Sequence, residues 1–302
     1  MEFGKLENVD SVDWTLPAMD QVSLRFLAQK TRSPLKILFG APAWGSKSWV
    51  GKIYPATAKP TDFLSWYAKY FSTIELNTTH YRIPTTEQVL RWRDQVESDF
   101  RFCPKLHQGI SHDRLGLIDP ARHKTWFRFL DDLKGQAGTS FLQLPPYFDY
   151  SMKAELFKFL KNWPDEFELA LEFRHPSWFQ ASSILQPLTE YLQSRHIGLV
   201  ITDVAGRRDV VHSTISAPYA VLRFVGNELH PSDSARAQAW SQRFLQWQEQ
   251  GLSKVYLFIH QPEDRLTYQM TEIFLGHLQT EGAWHLRKCS ISRQLSLIEG
   301  SG

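Results

Sequence analysis

The 302-residue chain is 42% hydrophobic, 22% charged and 14% aromatic, enough to bury a sizeable core, which excludes disordered, collagen-like and disulfide-stapled classes. With 34 Lys and Arg against 32 Asp and Glu, the formal net charge is only +2, so no global cationic field drives binding to nucleic acid or membrane. Cys103 and Cys289 lie far apart and by themselves build neither a four-ligand zinc site nor a disulfide framework, which makes a reducing cytoplasm the expected compartment.

Residues 1–35 carry acids, Trp14 and Pro17 without a basic patch or apolar run; they read as an extension packed on the following domain, not as a signal peptide. No stretch approaches the roughly 18 apolar residues of a membrane span. From there β-rich runs are expected at 36–41, 73–77, 100–105, 140–144, 168–173, 198–203, 220–224 and 254–260. Helical spacing separates them, as in Phe63, Leu64, Tyr67, Tyr70 and Phe71, or Trp126, Phe127, Leu130 and Leu133. Thr85 with Gln88 fits a capping box, and Asp119 before Pro120 fits an N-cap with proline in the first turn. Eightfold strand–helix alternation predicts a (β/α)₈ TIM-type barrel over residues 36–290, followed by a tail at 291–302. A doubly wound open sheet is the alternative, but Gly40-Ala41-Pro42-Ala43-Trp44-Gly45 lacks the glycine spacing of a phosphate-binding turn.

A parallel barrel places its active site at the C-terminal strand ends, where late polar residues are informative. Because strand side chains alternate faces, Glu75 and Asn77 share a face, as do Cys103 and Lys105, Glu172 and Arg174, and Ile201 and Asp203. The same parity adds Gln143, Arg223 and His260, giving a crown of ionisable groups at the expected mouth. Such a set is costly as plain core, because buried charges persist only when paired. Its structural explanation is an ion-pair network in which Glu75, Glu172 and Arg174 neutralise one another. In the segment Glu172-Phe173-Arg174-His175-Pro176-Ser177-Trp178, Arg174 offers a fork for a carboxylate or phosphate, His175 a proton carrier or a helix cap, and Trp178 a flat ring or a lid.

Five ordered segments, ILFGAPAWGSKSWVGKIYP (37–55), FSTIELNTTHYRIP (71–84), FRFCPKLHQGISHDRL (100–115), the Gln143-Leu144-Pro145-Pro146 turn and LEFRHPSWF (171–179), resemble in order and spacing the YecE-like family, domain of unknown function 72. The resemblance spans about residues 36–280. It implies a TIM-type barrel in a bacterial cytosolic protein, within a family of unestablished activity. It also carries over strand-end polar residues to Glu75, Asn77, Tyr81, Lys105, His112, Gln143, Glu172, Arg174, Trp178, Asp203 and Arg223. The chain departs from the pattern at His80, where a Phe is usual, at Ser111-His112, where the pattern has Thr-His, and at His260-Gln261, where a pair of asparagines is expected.

The leading functional expectation is an enzyme with hydrolase- or lyase-like acid/base chemistry on an anionic, phosphate- or sugar-containing substrate. Glu75 and Glu172 are the candidate acid and base, Lys105, Arg174 and Arg223 supply positive charge, and Asp203 or His175 orients or relays. No resident cofactor is called for. A metal-dependent phosphodiesterase or sugar isomerase is the second reading, with Glu75, Glu172, Asp203 and His260 as ligands, although no HExxH or HxH spacing supports it. A third is a non-enzymatic binder of nucleic acid, nucleotide or saccharide, using Trp44, Trp49 and Trp178 at the mouth and a local patch of Arg114, Arg207 and Arg208. Cys103 is expected to be a buried free thiol rather than a nucleophile.

Overall fold

The structure is a computed structural model and describes residues 4–31, 33–113, 115–179, 182–281 and 285–286. Each of the eight expected strands is present, with ends within one residue of the expected bounds: β1 (Lys36–Gly40), β2 (Thr73–Leu76), β3 (Arg101–Pro104), β4 (Ser140–Gln143), β5 (Leu169–Glu172), β6 (Gly198–Asp203), β7 (Tyr219–Val225) and β8 (Lys254–His260). A two-residue strand not anticipated from sequence, β9 (His285–Leu286), pairs with Lys36 and Ile37 at the start of β1. The expected tail at 291–302, together with Cys289 and Arg114, lies outside the described residues.

The helices are α1 (Gln21–Ala28), α2 (Phe63–Tyr70), α3 (Thr86–Arg93), α4 (Gln108–Ser111), α5 (Pro120–Leu133), α6 (Lys153–Lys161), α7 (Ser182–Ser194), α8 (Pro231–Gln250) and α9 (Thr267–Glu281). Their starts are set by local chemistry. Thr85 and Gln88 close a reciprocal capping box on α3, and Asp119 caps α5 ahead of Pro120.

This is an α/β fold. Seven parallel strands run in the order β4-β5-β6-β7-β8-β1-β9, and β2 and β3 form a separate parallel pair. Backbone hydrogen bonds tie that pair in on both sides. Ser72 N donates to Phe39 O (3.0 Å) and Glu75 N to Ala41 O (3.2 Å) toward β1, while Leu106 N donates to Phe141 O (3.0 Å) toward β4. Gly40 permits the β1–β2 approach, since a Cβ there would stand 2.7 Å from the Thr73 carbonyl oxygen.

Alternation along the strands separates two apolar layers. Ile37, Phe39, Ile74, Leu142, Leu171, Leu222, Phe224 and Leu257 pack in the large cluster shared with helical residues such as Trp126, Phe159 and Trp240. Leu38, Cys103, Phe141, Ala170, Val200, Val221, Tyr256 and Phe258 form a second, inner cluster. Cys103 is fully buried beside Thr73, and burial pushes its thiol up to about 12. Alkylation of Cys103 in the native protein is therefore expected to be roughly a thousandfold slower than in urea, as read by peptide mapping after iodoacetamide; equal rates would contradict the placement.

The N-terminal segment runs against elements on the β6–β8 side. Gly206 N donates to Gly4 O (2.8 Å), and Ser213 Oγ and Arg243 both donate to Pro17 O (2.8 Å each). The Trp14 ring lies 4.3 Å from the Arg236 guanidinium. No helix among the described residues is long and apolar enough to cross a membrane.

Candidate functional site

The inner cluster marks the face these polar residues share: each is two residues beyond an inward residue of its strand, a member of the cluster in every case but Thr73, whose hydroxyl lies 3.3 Å from Cys103 Sγ. Glu75 continues β2 beyond Thr73, Lys105 follows Cys103, Gln143 follows Phe141, Glu172 follows Ala170, Arg223 follows Val221 and His260 follows Phe258. Arg223 holds the set together. Its Nε and one terminal nitrogen donate to the two Glu75 oxygens at 2.9 Å each, and its other terminal nitrogen donates to Glu172 Oε2 at 2.9 Å. Since β7 neighbours neither β2 nor β5 in the sheets, this side chain spans the interior.

The remaining carboxylate oxygens are also engaged. Asn77 Nδ2 donates to Glu75 Oε1 and His260 Nε2 lies against Glu75 Oε2, both at 2.9 Å, while Arg174 Nε donates to Glu172 Oε1 at 3.2 Å. Burial alone would raise the Glu75 carboxyl, but Arg223 and His260 outweigh it and hold this group well below the usual carboxylate range. Burial is likewise outweighed at Glu172, where Arg223, Arg174 and Lys105 lower the carboxyl. Both glutamates are thus anions near neutral pH and lack the divergent environments that an acid/base division needs, which corrects the expectation from sequence. Glu75 and Glu172 instead lie in an ion-pair network, centred on Arg223 with Arg174 on Glu172, where the sequence reading had Arg174 at its centre.

Lys105 differs from the other cations. Its Nζ donates to the neutral Gln143 Oε1 at 2.8 Å, and among the described residues it has no carboxylate within ion-pair distance. Burial, reinforced by Arg223, lowers this amine to about 8. His112 and His80 stack edge to face with centroids 4.9 Å apart; burial, His80 and Lys105 lower His112 to about 4, so it is neutral at physiological pH. His80 is itself buried, with Nδ1 2.8 Å from Leu106 O.

Other expected site residues are placed differently. Asp203 faces away from the crown: Trp240 Nε1 donates to it at 2.6 Å, Arg236 pairs with it at 3.1 Å, and Arg208 bonds it as well. The run GLVITD is buried throughout, so its sequence did not reveal the phase; Val200 and Thr202 are its inward positions. His175 caps the turn Pro176–Trp178 through Ser177 N (3.2 Å). Trp178 is fully buried, stacked on Phe173 and Phe148, and donates to Phe148 O (2.8 Å); Trp49 is buried among Tyr54, Tyr67 and Phe71. Neither offers a free face to a base or sugar. Trp44 is half-buried, edge-on to Trp92 at 5.4 Å, and Tyr81 is exposed on the rim. Arg207 and Arg208 pair with Asp209 and Asp203, which offsets the charge of the basic patch.

Thr202 is the residue that sequence reading missed. It pairs in register with Arg223 and so shares its face, it is 4% exposed, and its Oγ1 has no hydrogen-bond partner among the described residues. Among those residues no three His, Cys, Asp or Glu side chains are grouped to hold a metal ion, and Asp203 stands apart from Glu75, Glu172 and His260.

The family model described as "Protein of unknown function DUF72" matches residues 38–287, which include every strand of this site. The chain belongs to the DUF72 family. It is 32% identical over 245 residues to the UPF0759 protein YecE of Escherichia coli K12, covering 75% of this chain and 87% of that protein. Identity to the UPF0759 protein YunF of Bacillus subtilis is 25% over 160 residues, covering 51% and 56%. In fold it is similar to a DUF72 family protein from Enterococcus faecalis V583, with a TM-score of 0.64 and 18% identity over 82% of this chain and 99% of that one. A DUF72 family protein from Thermotoga maritima MSB8 gives 0.60 and 21%, over 81% and 98%. This DUF72 chain thus shares its α/β fold with family members of low sequence identity.

Proposed function

We propose that the chain is an enzyme that binds a small anionic substrate, carrying a carboxylate or phosphate, at the C-terminal ends of β2, β3, β5 and β7. The carrying observation is the charge state of the crown. Arg223, Arg174 and Lys105 face two carboxylates, both of which are already hydrogen-bonded to guanidinium groups, so one cation's worth of charge is left at Lys105. An anion placed there gains a partner without having to displace one. The buried Thr202 hydroxyl, without a hydrogen-bond partner among the described residues, supplies a further polar group on the same face.

In this reading Glu75, Glu172, Arg223 and Asn77 form a fixed scaffold, and Lys105 carries the proton chemistry. Neutral His112 serves as a hydrogen-bonding group. An amine near 8 is both a workable acid and a workable base near neutrality, because proton transfer is most efficient when the catalytic pKa lies near the operating pH. The architecture that goes with it is a closed (β/α)₈ barrel over residues 36–290 with residues 1–35 as an extension; the β1–β2 and β3–β4 hydrogen bonds support closure.

Thermal melts in inorganic phosphate test the anion site. At a phosphate concentration one hundred times its dissociation constant, the native state is expected to gain about 2.7 kcal/mol, a rise of several degrees in Tm. Lys105→Met is expected to abolish that rise while leaving the ligand-free Tm close to wild type. No phosphate- or carboxylate-dependent rise in the wild type, or an unchanged rise in the variant, contradicts the assignment.

A further inference from the structure

We infer that the Lys105 amine is a nucleophile that forms a Schiff base with a small aldehyde or ketone bearing a carboxylate or phosphate. The inference deepens the anionic-substrate reading of the same site and rests on it, with bond formation at the Lys105 nitrogen in place of proton transfer there. Forming a Schiff base asks three things of a lysine: a neutral amine, a fixed position and access for a dissolved carbonyl compound.

Position comes from the strand. Lys105 directly follows β3, its backbone N donates to Leu76 O (3.2 Å), and Gln143 Oε1 accepts from Nζ across the β3–β4 boundary. Gln143 is itself 4% exposed, so this acceptor is held in place, and as a neutral amide it favours the ammonium less than a carboxylate would. Reach comes from exposure, because Lys105 is only half-buried whereas Arg223 and Glu172 are buried. Charge favours the neutral amine: burial and the adjoining Arg223 and Arg174 cations disfavour the ammonium, while Glu172 and Glu75, which would favour it, are engaged by Arg223. His80 and His112, packed nearby, add no acidic counterion.

The reaction balances within the pair. The amine nitrogen bonds to the carbonyl carbon, the carbonyl oxygen leaves with the two amine hydrogens as one water, and the imine takes one proton from solvent. A carboxylate or phosphate on the same molecule restores the negative charge that the crown lacks. The iminium then withdraws electrons from the adjacent carbon, as aldol cleavage or decarboxylation at that carbon requires. Solvent, acting on a substrate of this kind, completes turnover by hydrolysing the imine back to the amine.

The experiment uses the full chain with glyoxylate, pyruvate or uncharged propanal, reduced by sodium borohydride and mapped by peptide mass spectrometry. At pH 7 an amine near 8 holds on the order of a hundred times more neutral form than an ordinary lysine. Lys105 is therefore expected to be labelled by glyoxylate or pyruvate at least about tenfold faster than exposed Lys47 and Lys59. The labelling rate should climb with pH and level off above about 8. Propanal should label Lys105 more slowly than the anionic carbonyls, inorganic phosphate should protect it, and Lys105→Arg should remove that label while keeping the charge. Labelling of Lys105 no faster than Lys47, or equal labelling by propanal and glyoxylate, overturns the inference. If phosphate still raises the Tm while Lys105 is not trapped, the amine chemistry falls and the anion site stands; if phosphate has no effect either, both fall.

Discussion

Arg223→Ala is expected to destabilise the protein by about 3 to 5 kcal/mol, because it leaves two fully buried carboxylates without the cation that holds them. For a chain of this size that is a fall of roughly 10 °C in Tm, measurable by calorimetry or circular dichroism. Asn77 and His260 remain on Glu75 and Arg174 remains on Glu172, but none of them donates to both carboxylates as Arg223 does. Arg223→Lys should recover only part of the loss, since a point charge cannot hold Glu75 with two parallel bonds and still reach Glu172. The acid limb of the pH dependence should shrink. In the wild type both folded-state carboxyls lie below their ordinary value of 4.5, so their contribution is complete above that value and is lost as pH falls through the folded values. In Arg223→Ala the strongest lowering influence on both carboxyls is gone while Arg174 stays on Glu172 and His260 on Glu75, so the stability lost on acidification should be smaller than in the wild type. A variant as stable as wild type, with the same acid limb, would contradict the pairing described here.

Much of this arrangement was legible because β-strands have a period of two and the chain is polar where its strands end. Lys105, Gln143, Glu172, Arg223 and His260 each stand two residues past a member of the inner cluster and Glu75 two past inward Thr73, and the alternation of strand side chains points to all six. The same device failed at β6, where apolar residues fill both faces and only the last side chain is charged; parity then attached Asp203 to the wrong face and passed over Thr202. Tryptophans misled in another way. Trp49 and Trp178 lie next to expected loops, but aromatic rings bury large areas, and both indole N–H groups find backbone carbonyls at 2.8 Å inside the fold. Which cation serves which carboxylate was not readable either. Arg223 and Glu75 are 148 residues apart, and their pairing follows from how the strands pack in three dimensions rather than from local spacing.

Asp203→Ala is the substitution that best separates the two readings of that residue. If Asp203 belonged to the catalytic set, as its place at a strand end implied, the variant would stay folded and lose the chemistry at Lys105. The structure gives it a different task. Asp203 is fully buried and accepts from Trp240 Nε1 (2.6 Å), Arg236 and Arg208; Arg236, itself 1% exposed, also bonds Asp233 (3.2 Å) and the Val225 carbonyl (3.1 Å). Burial would raise the Asp203 carboxyl, but Arg236 and Arg208 outweigh it and keep it lowered. Removing the carboxylate strands the buried Arg236 cation with Asp233 as its remaining acidic partner and leaves the Trp240 N–H without its acceptor. The expected cost is about 3 kcal/mol, with Asp203→Asn losing less because the amide oxygen can still accept one of the three hydrogen bonds. Phosphate-dependent stabilisation and borohydride trapping at Lys105 should survive in whatever fraction of either variant is folded, since Asp203 and Lys105 lie on opposite faces of the strands. Wild-type stability combined with lost trapping at Lys105 would return Asp203 to the site. The same network also tethers the N-terminal segment, whose Trp14 ring lies against Arg236 and Arg208, so Asp203→Ala should speed proteolysis between residues 4 and 20 before it affects the strands.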